Sequence, residues 1–151
     1  MRYLFILNPA AGKQDCTVQL IPQLQQAAVR AGIPVDAVAT CKTEYAGHAS
    51  ELTRQAIEEG AEYILAVGGD GTVNEIARAM IHSNAILGII PKGSGNGLAR
   101  ELHIPMDVKR AIDLIAKGHV TTIDCCRANG QVFFCTCGVG FDAAVSQKFA
   151  N

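Results

Sequence analysis

The sequence predicts an α/β protein: an open, Rossmann-like three-layer domain with a mostly parallel sheet, followed by the start of a β-rich second domain. Three observations carry this. Apolar runs of strand length alternate with stretches whose apolar residues recur every three to four positions. Tyr3–Leu7 and Tyr63–Val67 are apolar throughout, as in strands covered on both faces. The 151 residues include 15 glycines, above the roughly 7% of an average protein, and these gather where predicted strands end.

Tyr3–Leu7 (YLFIL) is the first such strand. Thr17 to Ala31 reads as a helix, with Leu20, Leu24, Ala27 and Ala28 on one side and Gly32 as its stop. Pro22 predicts an irregular first turn, because proline lacks the N–H that a helix needs. Val35–Ala39 is the second strand, and His48 to Glu59 the second helix, ended by Gly60. His48 reads as a helix-start residue. Tyr63–Val67 is the third strand, and Asn74 to Met80 a helix after the intervening glycines. Ile86–Ile90 is the fourth strand. Ser94 to Leu102 is a glycine-rich turn entering a short helix, with Leu98, Leu102 and Ile104 as core positions. Val108–Lys117 is a further helix. Val120–Ala128 and Gln131–Cys137 flank Asn129-Gly130, a strong hairpin signal. Gly138 to Phe141 opens a further element.

With 49% hydrophobic and 18% charged residues the chain can bury a core, which excludes disorder, collagen and coiled coil. A net charge of −1 excludes nucleic-acid binding by bulk charge. The absence of Trp and 5% aromatic content argue against base-stacking platforms. No run is long enough for a membrane-spanning helix, and Tyr3–Leu7 is shorter than a signal-peptide core. The expected location is cytoplasmic. Cys16, Cys41, Cys125, Cys126, Cys135 and Cys137 contain no C-x-x-C spacing and are expected as reduced thiols filling the core, with a metal site from the last four as the alternative.

Three glycine clusters follow predicted strands: Asn8 to Lys13 (NPAAGK), Gly68 to Thr72 (GGDGT) and Pro91 to Gly97 (PKGSGNG). In an open α/β sheet the C-terminal strand edge is where ligands bind. Glycine lets successive N–H groups approach phosphate oxygens, and helix N-termini beyond the loops favour anions. A phosphate-bearing ligand follows. The spacing matches neither a P-loop nor G-x-G-x-x-G. Asp70 sits within this cradle, where a carboxylate repels phosphate unless a divalent cation or a proton to be abstracted justifies it. Lys13 and Lys92 are candidates to meet phosphate.

GGDGTVNE (68–75), NPAAGK (8–13) and PKGSGN (91–96) resemble the diacylglycerol kinase catalytic domain family, which includes YegS-type bacterial lipid kinases, sphingosine kinases and ceramide kinases. IDCCRANGQVFF and GVGFDA resemble the start of that family's second, β-rich domain. The resemblance implies a nucleotide-binding domain over residues 1–119 and the beginning of a truncated lipid-binding domain over 120–151. It implies an NAD kinase/diacylglycerol kinase-like fold and ATP and Mg²⁺ as cofactors. Asn8, Pro9, Gly12, Lys13 and Thr43 would contact nucleotide, with Thr40 a second available hydroxyl. Gly68, Gly69, Gly71, Thr72, Asn74 and Glu75 would cradle phosphates and reach the ribose. Gly93, Ser94 and Asn96 would add further contacts. Asp70 would be catalytic, as base or metal organiser, and Asp124 a second metal or head-group residue. Many bacterial relatives have Asp where this chain has Gly97.

The implied reaction is transfer of the γ-phosphate of MgATP to a lipid hydroxyl of diacylglycerol or sphingoid type, at a peripheral membrane surface, with no nucleic-acid partner and a dimer left open. Such chemistry needs mainly positioning and charge neutralisation. Family members are longer and carry an Asp-Gly-Glu segment absent here, so an inactive fragment is expected. An NAD kinase and a non-catalytic nucleotide-binding module are the alternatives.

Overall fold

A computed structural model describes residues 3–12 and 17–135. Four parallel strands, β1 (Tyr3–Leu7), β2 (Val38–Lys42), β3 (Tyr63–Gly68) and β4 (Ile86–Pro91), form one sheet in the order β2-β1-β3-β4. Tyr3 stands opposite both Val38 and Tyr63, and Tyr63 opposite Ile86. The α-helices among the described residues are α1 (Thr17–Arg30), α2 (His48–Glu58), α3 (Asp70–Met80), α4 (Gly97–Glu101) and α5 (Val108–Ala116). A separate antiparallel hairpin pairs β5 (Cys126–Ala128) with β6 (Gln131–Phe133).

Alternation along the strands divides the core into two layers. Leu4, Ile6, Ile64, Ala66 and Ile89 pack with Ala49, Ile76, Met80 and Leu98 from α2, α3 and α4. Phe5, Leu7, Leu65, Val67 and Ile90 pack with Leu24, Ala28, Ala111 and Ile112 from α1 and α5. Both faces are therefore dry at β1, β3 and β4, which is why these strands read as apolar runs, whereas the edge strand β2 (VATCK) is only half-buried. Leu102 and Ile104 pack against the first layer. Arg30 and Asp113 join α1 to α5 at 3.0 Å, but both are about half exposed. Such a pair contributes roughly 0–1 kcal/mol, so the apolar contact holds these helices together.

Several boundaries differ from the sequence reading. The second strand begins at Val38, since Val35–Ala37 forms a 3₁₀ turn closed by the Ala37 N–H to the Pro34 carbonyl at 3.0 Å. Pro22 lies inside α1. The carbonyl it leaves unpaired belongs to Val18, which is 81% exposed, so water can satisfy it. The third helix begins at Asp70, four residues ahead of the expected Asn74. The hairpin strands are three residues each, while Asn129 and Gly130 take the positive φ (48° and 78°) of the expected tight turn. Cys125, Cys126 and Cys135 are exposed, so they do not fill the core; Cys41 packs at its edge. Lys13, Cys16, Cys137 and the element expected from Gly138 lie outside the described residues.

Two outcomes follow from this packing. A Cβ on Gly88 would collide with Leu65 Cδ2 and come within 3.1 Å of Ile115 Cδ1, and Leu65 is fully buried. Gly88→Ala is expected to lower the unfolding free energy in urea by about 1–3 kcal/mol through overpacking. Burial, with a smaller contribution from Glu59, raises the Cys41 thiol above its ordinary value. A water-soluble maleimide at pH 7 is expected to label Cys125, Cys126 and Cys135 before Cys41, read by peptide mass spectrometry.

Candidate functional site

Parallel strands send all their C-terminal ends to one edge, and the three glycine-bearing loops meet there. Gly68 closes β3 and lies opposite Pro91, the last residue of β4, so the loops leaving these strands start side by side. An ideal Cβ on Gly93 would lie 2.5 Å from Gly69 Cα, and one on Gly12 3.2 Å from the Lys92 carbonyl oxygen. These contacts are with backbone, which cannot swing aside, so the loops close on one another only because side chains are missing.

The side chains in these loops divide by what they touch. Asn8 follows β1. Its Oδ1 accepts from the Ala10 N–H at 2.9 Å, and its Nδ2 donates to Thr72 Oγ1 at 3.0 Å. Thr72 is 5% exposed and stands against Gly68, where a Cβ would lie 2.6 Å from its Oγ1. Asn96 is 7% exposed and takes a left-handed backbone at φ 55°. Its Oδ1 accepts from the Gly93 N–H at 2.9 Å, and its Nδ2 donates to the Gly93 carbonyl at 2.6 Å. Asn8, Thr72 and Asn96 thus fix loop shape.

Asp70 differs from these. It is the first residue of α3, exposed, at the end where the helix dipole favours negative charge. Its Oδ1 accepts from the Gly97 N–H at 2.7 Å. Its Oδ2 lies where a Cβ on Gly95 would be 2.9 Å away and has no hydrogen-bond partner among the described residues. Gly71, one position on, is exposed, and a Cβ there would meet open space. Ser94 is exposed, while Pro9 and Asn74 are half-buried.

The loop after β2 joins the same edge. The Thr43 N–H donates to the Leu7 carbonyl at 2.8 Å, and Thr43 lies half-buried just past the strand. The Thr40 hydroxyl is buried without a partner inside β2, so of the two only Thr43 is at the rim. Glu75 Oε1 accepts from the Gly47 N–H at 3.1 Å, and the Glu75 carbonyl from Ser50 Oγ at 2.8 Å. Gly47 can cap α2 because it tolerates φ 90°. His48 opens α2, accepts from the Glu44 N–H at its Nδ1 (3.1 Å) and stacks on Tyr45 with ring centroids 4.5 Å apart. The hydrogen bond from Tyr45 to Glu51 is the main reason that its phenol is raised above the ordinary value.

Sequence reading did not find the Gly97 amide under Asp70 or the Glu75 clasp on Gly47; these link residues 27 and 28 positions apart. Asp124 is exposed, in the stretch before β5. Among the described residues no three His, Cys, Asp or Glu side chains gather to hold a metal. One exposed carboxylate with a free oxygen fits Mg²⁺ delivered with phosphates, which characteristically takes one or two protein carboxylates.

The diacylglycerol kinase catalytic domain model matches residues 2–128. A diacylglycerol kinase of Staphylococcus carnosus (strain TM300) is 33% identical over 134 residues, covering 87% of this chain and 42% of the relative. One of Staphylococcus saprophyticus is 34% identical, covering 87% and 43%. A crystal structure of a diacylglycerol kinase from Bacillus anthracis str. Sterne superposes with a TM-score of 0.75 at 30% identity, covering 87% of this chain and 49% of that one. The chain spans less than half the length of these proteins. With its parallel sheet and its three loops meeting at Asp70, it belongs to the diacylglycerol kinase catalytic domain family.

Proposed function

We propose that this chain is the nucleotide-binding part of an ATP-dependent lipid kinase, moving the γ-phosphate of ATP to a diacylglycerol or sphingoid hydroxyl. Residues 1–119 form that part, and residues 120–151 begin a β-rich lipid-binding domain. The observation that carries the reading is the exposed Asp70 carboxylate. One of its oxygens is held by the Gly97 amide, at the edge where three glycine-bearing loops converge. The names of the relatives support the lipid acceptor.

In this reading the triphosphate lies against the N-terminus of α3, where the N–H groups of the first turn have no helical partners. The 8–12 loop, Thr43 and Ser94 line its path, with Lys13 and Lys92 as phosphate cations. Asn8, Thr72, Asn96 and Glu75 act by holding the loops that meet it. When bound, Mg²⁺ neutralises phosphate charge, and Asp70 Oδ2 is the oxygen this chain offers to the metal or to the acceptor hydroxyl. Asp124 is a second candidate carboxylate, in the stretch before β5. No helix among the described residues is long and apolar enough to cross a membrane, and the lipid is met at the cytoplasmic membrane surface by peripheral contact. The 151 residues alone bind nucleotide without turnover.

Asp70→Asn keeps the shape that accepts the Gly97 N–H and removes the charge. In the complete product of the reading frame it is expected to lower kcat for lipid phosphorylation by about 10²–10⁴-fold, with the melting temperature nearly unchanged. Retention of most of the turnover would overturn the role, phosphorylation of NAD in place of lipid would select an NAD kinase, and ATP binding without turnover a regulatory module. Gly71→Ala tests the phosphate path separately. Alanine in the first turn of α3 is expected to hold or raise stability, by up to about 1 kcal/mol. Its methyl would stand in the path of the phosphates, and ATP affinity by calorimetry is expected to fall roughly tenfold or more, about 1.4 kcal/mol.

A further inference from the structure

The loop between β2 and α2 is tied down at both of its ends. The Thr43 N–H donates to the Leu7 carbonyl at the end of β1, and the Gly47 N–H donates to Glu75 of α3. Tyr45 lies midway between these anchors, at the same sheet edge as the three glycine-bearing loops. Its ring stacks on His48 with the two planes 2° apart, and its hydroxyl donates to Glu51 Oε2 at 2.6 Å. His48 is held in turn, since its Nδ1 accepts from the Glu44 N–H. With one face on His48, Tyr45 is still 53% exposed, so the other face is turned to solvent.

A ring fixed by its face and by its hydroxyl, yet half exposed, is ordered ahead of any partner. A planar ligand that stacks on it meets a side chain with little rotamer freedom left to lose. The strand order says what lies within reach. The phosphate cradle sits at the ends of β3 and β4. In the order β2-β1-β3-β4, a ligand running from the start of α3 across the end of β1 arrives at the loop after β2. That path crosses two strand spacings of about 4.8 Å each, which a triphosphate and a ribose bridge. Charge gives the direction. Glu44 precedes Tyr45 and Glu51 accepts its hydroxyl, and two carboxylates repel phosphate, so the uncharged end of a nucleotide faces this ring.

We propose that the outer face of Tyr45 is the seat of the nucleotide base, with His48 behind the ring and Glu51 holding its hydroxyl. The inference rests on the nucleotide-binding reading above and deepens it by assigning the base a residue. Stacking uses the π-face that every base has, so Tyr45 supplies affinity for the base and does not read its edges. Thr43, two residues before, and Glu75, which holds Gly47, then flank the middle of the ligand. One plate serves one base, which a chain with 5% aromatic residues can supply.

Calorimetry on the complete product of the reading frame tests this with two probes, ATP and inorganic tripolyphosphate, which carries the phosphates without the base. Tyr45→Ala is expected to weaken ATP binding about tenfold or more and to leave tripolyphosphate binding unchanged. Tyr45→Leu keeps apolar bulk against His48 without a π-face and is expected to behave like the alanine variant. Tyr45→Phe keeps the ring and loses only the bond to Glu51, so its ATP affinity is expected to stay within about threefold of the wild type. Unchanged ATP affinity in Tyr45→Ala would overturn the proposal. So would equal losses of ATP and tripolyphosphate, which would assign Tyr45 to the shape of the phosphate loops, and so would a leucine variant as good as tyrosine, which would assign it to packing. A wild-type protein that binds neither probe would overturn the nucleotide reading itself, and the base seat with it.

Discussion

Gly69 and Gly93 bring two backbones into contact where the loops leave β3 and β4, with no room for a side chain between them. Neighbouring strands stand about 4.8 Å apart, and loops leaving them ordinarily diverge to make room for side chains. Here they do not. The contact keeps the loop after β4 folded over the start of α3, which places the Gly97 amide on Asp70. The Asn96 side chain, bonded to both the N–H and the C=O of Gly93, holds that loop in its turn. Asp70 is therefore oriented by a backbone donor whose position depends on two missing side chains elsewhere.

The polar residues of this edge are not interchangeable contributors to a ligand surface. Removing a buried partner and leaving its donor unsatisfied costs about 1–3 kcal/mol, more than the net worth of an average hydrogen bond. Thr72, which accepts from Asn8, and Asn96, which holds Gly93, are buried and in that position, while the half-buried Glu75 bond to Gly47 is worth less. Their loss would distort three loops together. Asp70 Oδ2, the Ser94 hydroxyl and the open face at Gly71 lie on the solvent side and have chemistry to spare. A short motif thus encodes two different jobs, shape and contact, in adjacent letters.

β1, β3 and β4 were legible because helices cover both sheet faces, which leaves nothing but apolar residues in Tyr3–Leu7 or Tyr63–Val67. The start of β2 was not, since Val35 looks like strand while Pro34 and Asp36 favour a turn whose closure is a local hydrogen bond. The start of α3 was hidden for a similar reason. Gly71 costs a helix about 1 kcal/mol, which makes Gly68 to Thr72 read as loop. Burial of Thr72, Val73 and Ile76 outweighs that and carries the helix back to Asp70. The exposed cysteines of the hairpin region depend on how that region packs, which no local pattern records. At the site, the loops could be named from their glycines, but the bonds between them join residues far apart in sequence, where spacing says nothing.

α3 connects all of these features. Asp70 is its first residue, Glu75 near its middle holds the loop before α2, and Arg78 near its end donates to the Val132 carbonyl of β6 at 2.6 Å. Met80, its last residue, walls a groove beside β4. An 11-residue helix is about 16 Å long and is buried along one side, so it moves as a unit or not at all. Cys135, just past β6, stands instead beside the first residue of α4, its Sγ 3.0 Å from an ideal Cβ on Gly97. A two-stranded ribbon is marginal alone, and one exposed hydrogen bond adds only about 1 kcal/mol. The Arg78 bond therefore registers the hairpin against α3 more than it stabilises it. Whatever packs on the hairpin therefore bears on the same helix that carries Asp70.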